Sequence, residues 1–260
     1  MFKMMKKIMT YPRLTQDYPK KPLDSHLFVG SPVIDEARCI FCGECVTRCP
    51  STAMVIDKEK HQIGINYDTC IFCGLCAEIC PEGAVTMSTA FELAQKDRRL
   101  LRKETIVIEG RDPSDESYIV LCNKLQQKIQ KKFKRSLQIR EIDAGSCNGC
   151  DLEINALNNP FNDIERLGIH FVPSPRHADM LLVTGPVTRN MEQALIKTYQ
   201  AAPDPKLVVA VGACACSGGI FRDCYATHQG VDSILPVDVY IPGCPPRPQA
   251  IINGLLMAIK

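Results

Sequence analysis

Two short runs of the chain share one cysteine spacing, and this repeat constrains the fold more than any other feature. Residues 39–50 and 70–81 both follow the pattern C-x2-C-x2-C-x3-C-P, and the second run begins 31 residues after the first. Cysteines at this spacing bind 4Fe-4S clusters, because three close thiolates hold one cluster while the fourth reaches the other. The repeat therefore predicts a small domain built around two clusters.

We assign the eight cysteines of the runs to two crossed sets, each with three members from one run and the last cysteine of the other. The first cysteine set is Cys39, Cys42, Cys45 and Cys80; the second cysteine set is Cys70, Cys73, Cys76 and Cys49. Gly43 and Gly74 suit a backbone that curls closely around a cluster with its amides free to reach the sulfurs. Zinc is the alternative ligand, but a zinc site needs four ligands rather than a third cysteine two residues further on.

The composition excludes several classes of protein. The chain has 15 cysteines, and an odd number of cysteines without a secretion signal argues against a disulfide framework. Residues 1–16 have no apolar signal-peptide core, and no stretch approaches the ~18 consecutive apolar residues that span a bilayer, so we expect a cytoplasmic chain. The 45% hydrophobic content excludes wholesale disorder, and 31 basic against 29 acidic residues do not indicate a nucleic-acid partner.

Four further cysteines follow predicted strands in the second half of the chain. The predicted strands at 137–143, 207–211 and 237–241 precede the members of a third cysteine set, Cys147, Cys150, Cys214 and Cys244. Ligands of an open parallel sheet lie beyond the carboxyl ends of its strands, so we expect these thiols to meet there. One more 4Fe-4S cluster is the simplest interpretation, and a thioredoxin-like redox pair at Cys147 and Cys150 is the alternative.

The order of the predicted elements indicates two domains. A buried strand is predicted at 180–184, and helices at 193–200 and 249–259, so strands alternate with helices as in a doubly wound α/β domain. We expect an α+β, bacterial ferredoxin-like domain followed by an α/β, flavodoxin-like parallel-sheet domain. The expected segments are an N-terminal extension at 1–32, a two-cluster domain at 33–88, a linker at 89–135 and the α/β domain at 136–260.

Seven stretches of the second half resemble the small subunit of group 4, membrane-bound NiFe hydrogenases, which include the formate hydrogenlyase type. The stretches are 146–154, 172–179, 184–189, 201–206, 212–214, 217–221 and 237–246. The resemblance extends more distantly to the terminal-cluster subunit of respiratory complex I, in which the two cysteines that match Cys147 and Cys150 are adjacent. Residues 11–105, with the stretch 91–98, are similar to the separate two-cluster ferredoxin subunit of the same complexes, so the chain resembles a fusion.

The resemblance implies an electron-transfer role. In such enzymes the nickel–iron site lies in a separate large subunit, so the chain is expected to pass electrons through three 4Fe-4S clusters and not to activate hydrogen alone. The implied partners are that large subunit, integral membrane subunits, and a ferredoxin or formate dehydrogenase donor, in a peripheral position at the cytoplasmic face of the membrane. The match also selects Cys214 as a ligand over Cys216 and Cys224, which we expect to be buried thiols, and leaves Cys122 without a role.

The same residues are compatible with two other functions. A complex I-like quinone or sulfur-reducing oxidoreductase would use the same clusters, although the separated Cys147 and Cys150 disfavour a quinone reductase. An iron–sulfur scaffold would hold its clusters loosely in exposed sites, which does not fit cysteines in closed sets of four.

Four side chains near the predicted strands have competing interpretations. Glu153 is hypothesised to face the large subunit near a proton route, but an acid in the first turn of a helix is also stabilised by the helix dipole. His177 is interpreted as a loop anchor rather than a ligand or base, because histidine ligation is exceptional in such clusters. Arg176 and Arg189 are expected to form interface or loop-fixing salt bridges.

Two basic segments have the pattern of amphipathic helices. Apolar residues recur every fourth position in the segment 121–135, among five lysines and one arginine. This segment is predicted to lie against the membrane arm, a lipid surface or an acidic partner, or to be a solvated linker helix. Residues 3–9, with three lysines among methionines and one isoleucine, pose the same choice.

Overall fold

The computed structural model describes residues 2–11, 13–21, 23, 29–102 and 135–259. The predicted basic helix at 121–135 lies, apart from its last residue, outside the described residues, as does Cys122. Among the described helices, none is long and apolar enough to cross a membrane.

The N-terminal extension begins with helix α1, Phe2–Thr10, and is then attached to the second half of the chain. The Thr15 hydroxyl donates to the carbonyl oxygen of Pro160 at 2.9 Å, and the Gln16 N–H donates to the carbonyl oxygen of Phe161 at 2.9 Å. Tyr18 is buried, and its hydroxyl donates to the Glu92 carboxylate at 2.8 Å. Residues 15–18 therefore form a segment, the N-terminal strap, that attaches the extension to the rest of the chain.

The repeated cysteine runs fold as a repeated unit of strand, run, helix and strand. The first unit contains β1 (Pro32–Ile34), α2 (Glu44–Thr47) and β2 (Met54–Asp57). The second unit contains β3 (Gln62–Ile65), α3 (Leu75–Glu78) and β4 (Val85–Met87). Strand β1 pairs antiparallel with β4, and β2 with β3, so each two-stranded sheet takes one strand from each unit. Because the strands are exchanged in this way, the last cysteine of each run lies beside the other run.

The second half contains a five-stranded parallel sheet. Its strands are β5 (Leu137–Asp143), β6 (Ile169–Phe171), β7 (Met180–Thr184), β8 (Leu207–Val211) and β9 (Val239–Ile241). They lie in the order β6-β5-β7-β8-β9, all parallel. Four helices of this half are α4 (Gly149–Asn155), α5 (Arg189–Ala201), α6 (Ala213–Ser217) and α7 (Pro248–Ile259).

The predicted strands and helices of this half are confirmed, with one strand missed. Every residue of β7 is buried, as expected for a central parallel strand covered on both faces. The missed strand is β6, which has three residues and lies at the edge of the sheet. Three residues are too few for a periodic pattern to stand out from the surrounding loops.

The two halves of the chain share one apolar core. Alternate residues of β7 point to opposite faces of the sheet, so Leu181 and Val183 pack on one side and Leu182 on the other. The cluster of buried residues that contains Leu181 also contains Ile63 and Tyr67 of the cysteine-run units. The two-cluster domain therefore packs directly on one face of the parallel sheet.

Candidate iron–sulfur sites

The first and second cysteine sets line two neighbouring cavities. One cavity is lined by all of the first set and the other by all of the second set, so Cys80 lies beside the first run and Cys49 beside the second. Cys45 lines both cavities. The structure thus brings together the members of each crossed set.

The loops around these cavities have a backbone conformation that side chains rarely adopt. Phe41 and Phe72 occupy the same position in the two runs and have φ values of 54° and 55°. Gly43 and Gly74 follow at 85° and 79°. A bulky residue in the left-handed region is unfavourable by itself and persists where its surroundings require it. Its repetition at equivalent positions indicates that the loops are shaped for one purpose, which is to curve around the cavity.

Backbone amides point at the sulfurs at the end of each run. The Ala53 N–H donates to Cys49 Sγ and the Ala84 N–H to Cys80 Sγ, both at 3.2 Å. Burial raises the pKa of both thiols, but backbone N–H groups outweigh it and hold both pKa values below the usual range. The thiolate is the form that binds metal, so these amides prepare the two cysteines for ligation.

The more deeply placed cysteines need a positive partner to ionise. Burial, with the Cys42 charge second, raises the pKa of Cys45 to about 11, and burial raises the pKa of Cys70 to about 12. Bound iron would supply this positive charge, because metal binding removes the proton from a thiol. The chemistry of the donor set, four cysteines around a cavity with amides aimed at the sulfurs, fits a 4Fe-4S cluster.

The third cysteine set lies at the carboxyl ends of the parallel strands. Cys147 and Cys150 follow β5 at the start of α4, Cys214 follows β8 in α6, and Cys244 follows β9. Burial raises the pKa of Cys150, and the thiolates of Cys214 and Cys244 raise it further because they lie close by. Burial, with Cys244 next, raises the pKa of Cys214 to about 12. The four thiols therefore meet at one edge of the sheet, as expected for this fold.

Glycines keep the space around these sulfurs open. A Cβ on Gly212 would lie 2.6 Å from Cys150 Sγ, and one on Gly219 would lie 3.2 Å from Cys214 Sγ. Gly212 also has a φ of 90°, which side-chain-bearing residues rarely adopt. The missing side chains leave room for a group bound to the sulfurs, so the third set also fits a cluster.

Replacing Gly212 by alanine is expected to disturb the third cysteine set alone. The added methyl group must displace Cys150 Sγ or the backbone, and the φ of 90° is strained for alanine. We expect about four fewer iron atoms per chain by metal analysis. Gly168 offers a control, because its φ is 76° but nothing lies within 4 Å of the added Cβ. Gly168→Ala should keep its iron; equal iron content in both variants would contradict the role of the open space.

The second cysteine set is adjacent to each of the other two. Cys45 lines the cavities of both the first and the second set. Between the second and third sets, the Cys73 thiolate raises the pKa of Cys244, after the larger effects of burial and Cys147. Charges influence each other in this way only at short range. The second set is therefore a neighbour of both the first and the third.

A network of ion pairs around a buried carboxylate joins the two domains beside these sets. No pattern in the sequence indicates this network. The fully buried Asp68 carboxylate accepts from Nε of Arg98 and of Arg102, both at 2.8 Å. Arg98 also donates to Asp232 at 2.9 Å, and the Ser217 hydroxyl donates to the Asp68 carbonyl oxygen at 2.7 Å. Asp68 precedes Cys70 by two residues, so this network, the junction network, fixes the second set relative to the α/β domain.

The other predicted residues have varied environments. Glu153 is half-buried in α4, close enough to Arg247 for their charges to interact; its proton role stays a prediction. His177 and Arg176 are exposed in the turn at 175–177. Arg189 does fix a loop, but it donates to the carbonyl oxygen of Tyr225 at 2.5 Å rather than to an acid.

The prediction for the two extra cysteines is correct for one and wrong for the other. Cys216 is fully buried in α6, and burial raises its pKa well above the usual value. Cys224 is exposed, because it lies in the turns after Phe221 rather than in α6. Cys224 is thus a surface thiol close in sequence to the third set.

A pair of acids lies beside the third set. Asp151 accepts from the hydroxyls of Ser146 and Thr184, the latter at 2.9 Å, and these bonds outweigh its burial and hold its pKa below the usual range. Burial, with the hydrogen bond to Asp151 as the second cause, raises the pKa of Glu141 from an ordinary 4.5 to about 8. Glu141 therefore keeps its proton in the fold near neutral pH, where it donates to Asp151.

Replacing Glu141 by glutamine is expected to flatten the pH dependence of stability. A folded pKa above the unfolded one means that the stabilisation is complete below about pH 4.5 and is lost as the pH rises through about 8. Glutamine keeps the neutral donor without titrating, so the variant should lose less stability over this range. We expect a difference on the order of 1 kcal/mol, discounted because Glu141 is only about half-buried. Thermal unfolding midpoints at several pH values measure it; parallel pH curves for the two proteins would contradict the assignment.

Two family models match the chain, one in each half. The model of the NADH ubiquinone oxidoreductase 20 kDa subunit matches residues 147–258, and the model of the 4Fe-4S dicluster domain matches residues 31–81. The probable membrane-bound hydrogenase subunit mbhJ of Pyrococcus furiosus is 46% identical over 140 residues, which cover 53% of this chain and 84% of that protein. The chain belongs to the NADH ubiquinone oxidoreductase 20 kDa subunit family. Residues 31–81 match a 4Fe-4S dicluster domain, which favours iron–sulfur clusters over zinc for this part of the chain.

Three further proteins are similar over about half of the chain or less. Formate hydrogenlyase subunit 7 of Escherichia coli is 53% identical over 135 residues, 52% of this chain, and the matched part spans only 53% of that relative. An NADH-quinone oxidoreductase subunit of Geobacter metallireducens is 52% identical over 107 residues, 41% of this chain and 62% of that protein. A chain in the structure of a membrane-bound sulfane sulfur reductase is 42% identical, with a TM-score of 0.44, over 50% of this chain and 74% of that one. The predicted relationship to both hydrogenases and complex I is confirmed.

Proposed function

We propose that this chain is the electron-transfer subunit of a membrane-bound NiFe hydrogenase complex of the group 4 type. It would pass electrons between a ferredoxin or formate dehydrogenase donor and a nickel–iron site in a separate large subunit, without being catalytic alone. The observation that carries the proposal is the adjacency of the three cysteine sets, in which Cys45 borders two cavities and Cys73 neighbours Cys244. Clusters bound there would supply one-electron redox centres.

The chain's own residues would hold three 4Fe-4S clusters in closed sets. The proposed ligands are Cys39, Cys42, Cys45 and Cys80 for the first, Cys70, Cys73, Cys76 and Cys49 for the second, and Cys147, Cys150, Cys214 and Cys244 for the third. Backbone amides at Cys49 and Cys80 would set the charge around the sulfurs, which tunes reduction potentials. The third set, in the half related to hydrogenase subunits, would lie nearest the active site.

We also propose a fold for each of the two domains. The parallel sheet has its first strand between the second and third, which is the strand order of flavodoxin-like folds. We therefore propose a bacterial ferredoxin-like domain at 33–88 and a flavodoxin-like domain at 136–260, with an extension at 1–32 and a linker at 89–135.

The proposed partners are the hydrogenase large subunit and the integral membrane subunits of the complex, with no nucleic acid. Named relatives include a formate hydrogenlyase subunit and a probable membrane-bound hydrogenase subunit. This supports a peripheral position on a membrane complex, which we propose to be at its cytoplasmic face.

A complex I-like oxidoreductase is the second candidate, because the Geobacter metallireducens NADH-quinone oxidoreductase subunit is 52% identical over 107 residues. The two residues between Cys147 and Cys150 favour the hydrogenase, since the complex I subunit resembled by this chain has adjacent cysteines. A cluster scaffold is less favoured, because scaffold clusters are loosely held, whereas Cys45 and Cys70 are buried.

The proposed function is tested on the complex purified anaerobically from its host through a tag on this chain. We expect co-purifying nickel, hydrogen evolution with a reduced donor, and about twelve chelator-resistant iron atoms per copy of the chain. An intact complex that contains no nickel and reduces a quinone would overturn the hydrogenase assignment in favour of the second candidate. Iron that a chelator removes readily would instead favour the scaffold.

A further inference from the structure

Helix α1 has one face of lysines and one face of methionines. At about 100° per residue, the polar face carries Lys3, Lys6 and Lys7. The opposite face carries Met4, Met5 and Met9. The sequence Phe2–Thr10 contains no acidic residue. The helix is therefore amphipathic, and every charged residue on its polar face is basic.

The methionine face is exposed. Met4 is 71% and Met9 79% exposed, and Met5 is also exposed. The apolar face of a helix in a globular protein normally packs on the core, which removes it from water. Within the described residues nothing covers this face, and exposed apolar side chains continue past the helix at Tyr11 and Leu14.

The chain is attached to the α/β domain shortly after the helix. The helix ends only a few residues before the N-terminal strap, in which Thr15 and Gln16 bond to the backbone at Pro160 and Phe161. The strap is secured further by the buried Tyr18, whose carbonyl oxygen accepts from the Arg166 guanidinium. The exposed face is thus presented from a fixed point of the body, where Phe161 is itself exposed.

We propose that α1 is an interfacial helix that places its methionine face in an anionic lipid surface. A short helix with an apolar face and a lysine-rich polar face is the type that lies in the plane of a membrane interface. Lys6 and Lys7 lie on either side of the polar face, and long lysine side chains can reach back to lipid headgroups while their stems stay on apolar surface. Three lysines without an acid match a surface of uniform negative charge.

This interaction is independent of the electron acceptor of the complex. Vesicle binding requires no large subunit and no redox partner, so it would stand if the chain served a complex I-like enzyme. Equally, loss of vesicle binding with normal iron content would leave the electron-transfer proposal untouched.

The test is flotation of the full-length, cluster-loaded chain with vesicles of phosphatidylcholine alone or mixed with phosphatidylglycerol. We expect binding to the mixed vesicles, weakened by salt because exposed charges are screened. The triple variant Lys3→Glu, Lys6→Glu, Lys7→Glu should bind at least roughly fivefold more weakly for each lysine lost. The triple variant Met4→Gln, Met5→Gln, Met9→Gln keeps residues of similar helix propensity and should also lose binding.

Lys197→Glu is the matched control, because Lys197 is an exposed lysine on helix α5. It should bind vesicles almost as the unchanged chain does, and iron analysis of every variant checks that the fold is intact. Equal binding by all variants, or no binding to mixed vesicles, would overturn the proposal. If the helix variants instead weaken only the assembly with the other subunits, then α1 docks on a protein and the lipid assignment is wrong.

Discussion

Replacing Cys214 by serine is expected to remove the third cluster and leave the other two. The Cys214 thiol lies beside Cys150 and Cys244 at the carboxyl ends of the parallel strands. A serine hydroxyl does not ionise near neutral pH, so three thiolates would remain for a site that needs four ligands. We expect about four fewer iron atoms per chain. In the proposed hydrogenase complex, hydrogen evolution should be lost, because the third set would no longer connect the second set to the large subunit.

Cys224→Ser is the matched control for this prediction. Both cysteines are in the same loop-rich part of the chain, but Cys224 is exposed and lies outside the set. Its replacement should leave the iron content and the electron paramagnetic resonance spectrum of the reduced chain unchanged. If Cys224→Ser loses the iron and Cys214→Ser retains it, then the ligand choice within residues 214–224 is wrong.

The sequence was most informative where a local pattern of one residue type, cysteine or apolar, has one common structural role. The spacing of the C-x2-C-x2-C-x3-C-P repeat predicted the crossed sets. In the structure, the two units exchange strands, and this exchange places Cys49 and Cys80 beside the opposite runs. The buried strands at 180–184 and 207–211 were predicted because a parallel strand covered on both faces is apolar throughout. These features are local, so a single segment of sequence contains them.

What the sequence did not reveal depends on distant residues. The exposure of Cys224 is set by the turns that follow Phe221, and no pattern distinguishes it from the buried Cys216 eight residues earlier. The junction network joins residues 68, 98 and 232, which are far apart in the chain. Arg98 lies next to Arg99, and only the fold shows that the partly buried Arg98 pairs with the buried Asp68 while Arg99 pairs at the surface with Asp97.

Removing Arg98 is expected to destabilise the junction between the domains. Asp68 is fully buried, and Arg98→Met would leave its carboxylate with Arg102, whose side chain is partly exposed. Breaking a buried ion pair from one side costs about 3–5 kcal/mol, and the remaining Arg102 should reduce this to roughly 2–3 kcal/mol. We expect earlier thermal loss of the visible cluster absorbance and faster proteolysis between the domains.

Arg99→Met is the matched control, since Arg99 is 89% exposed and pairs with Asp97 at 2.7 Å. A surface pair of this kind contributes about 0–1 kcal/mol, so the control should resemble the unchanged chain. The double variant Asp68→Asn, Arg98→Met removes the buried charge as well as its partner. It therefore separates the cost of an unpaired buried charge from the loss of the network's positioning of the clusters. If the double variant recovers stability but not the magnetic coupling between the second and third clusters, then the network positions these clusters in addition to stabilising the fold. Equal coupling in all four proteins would show that the shared core alone holds Cys73 beside Cys244.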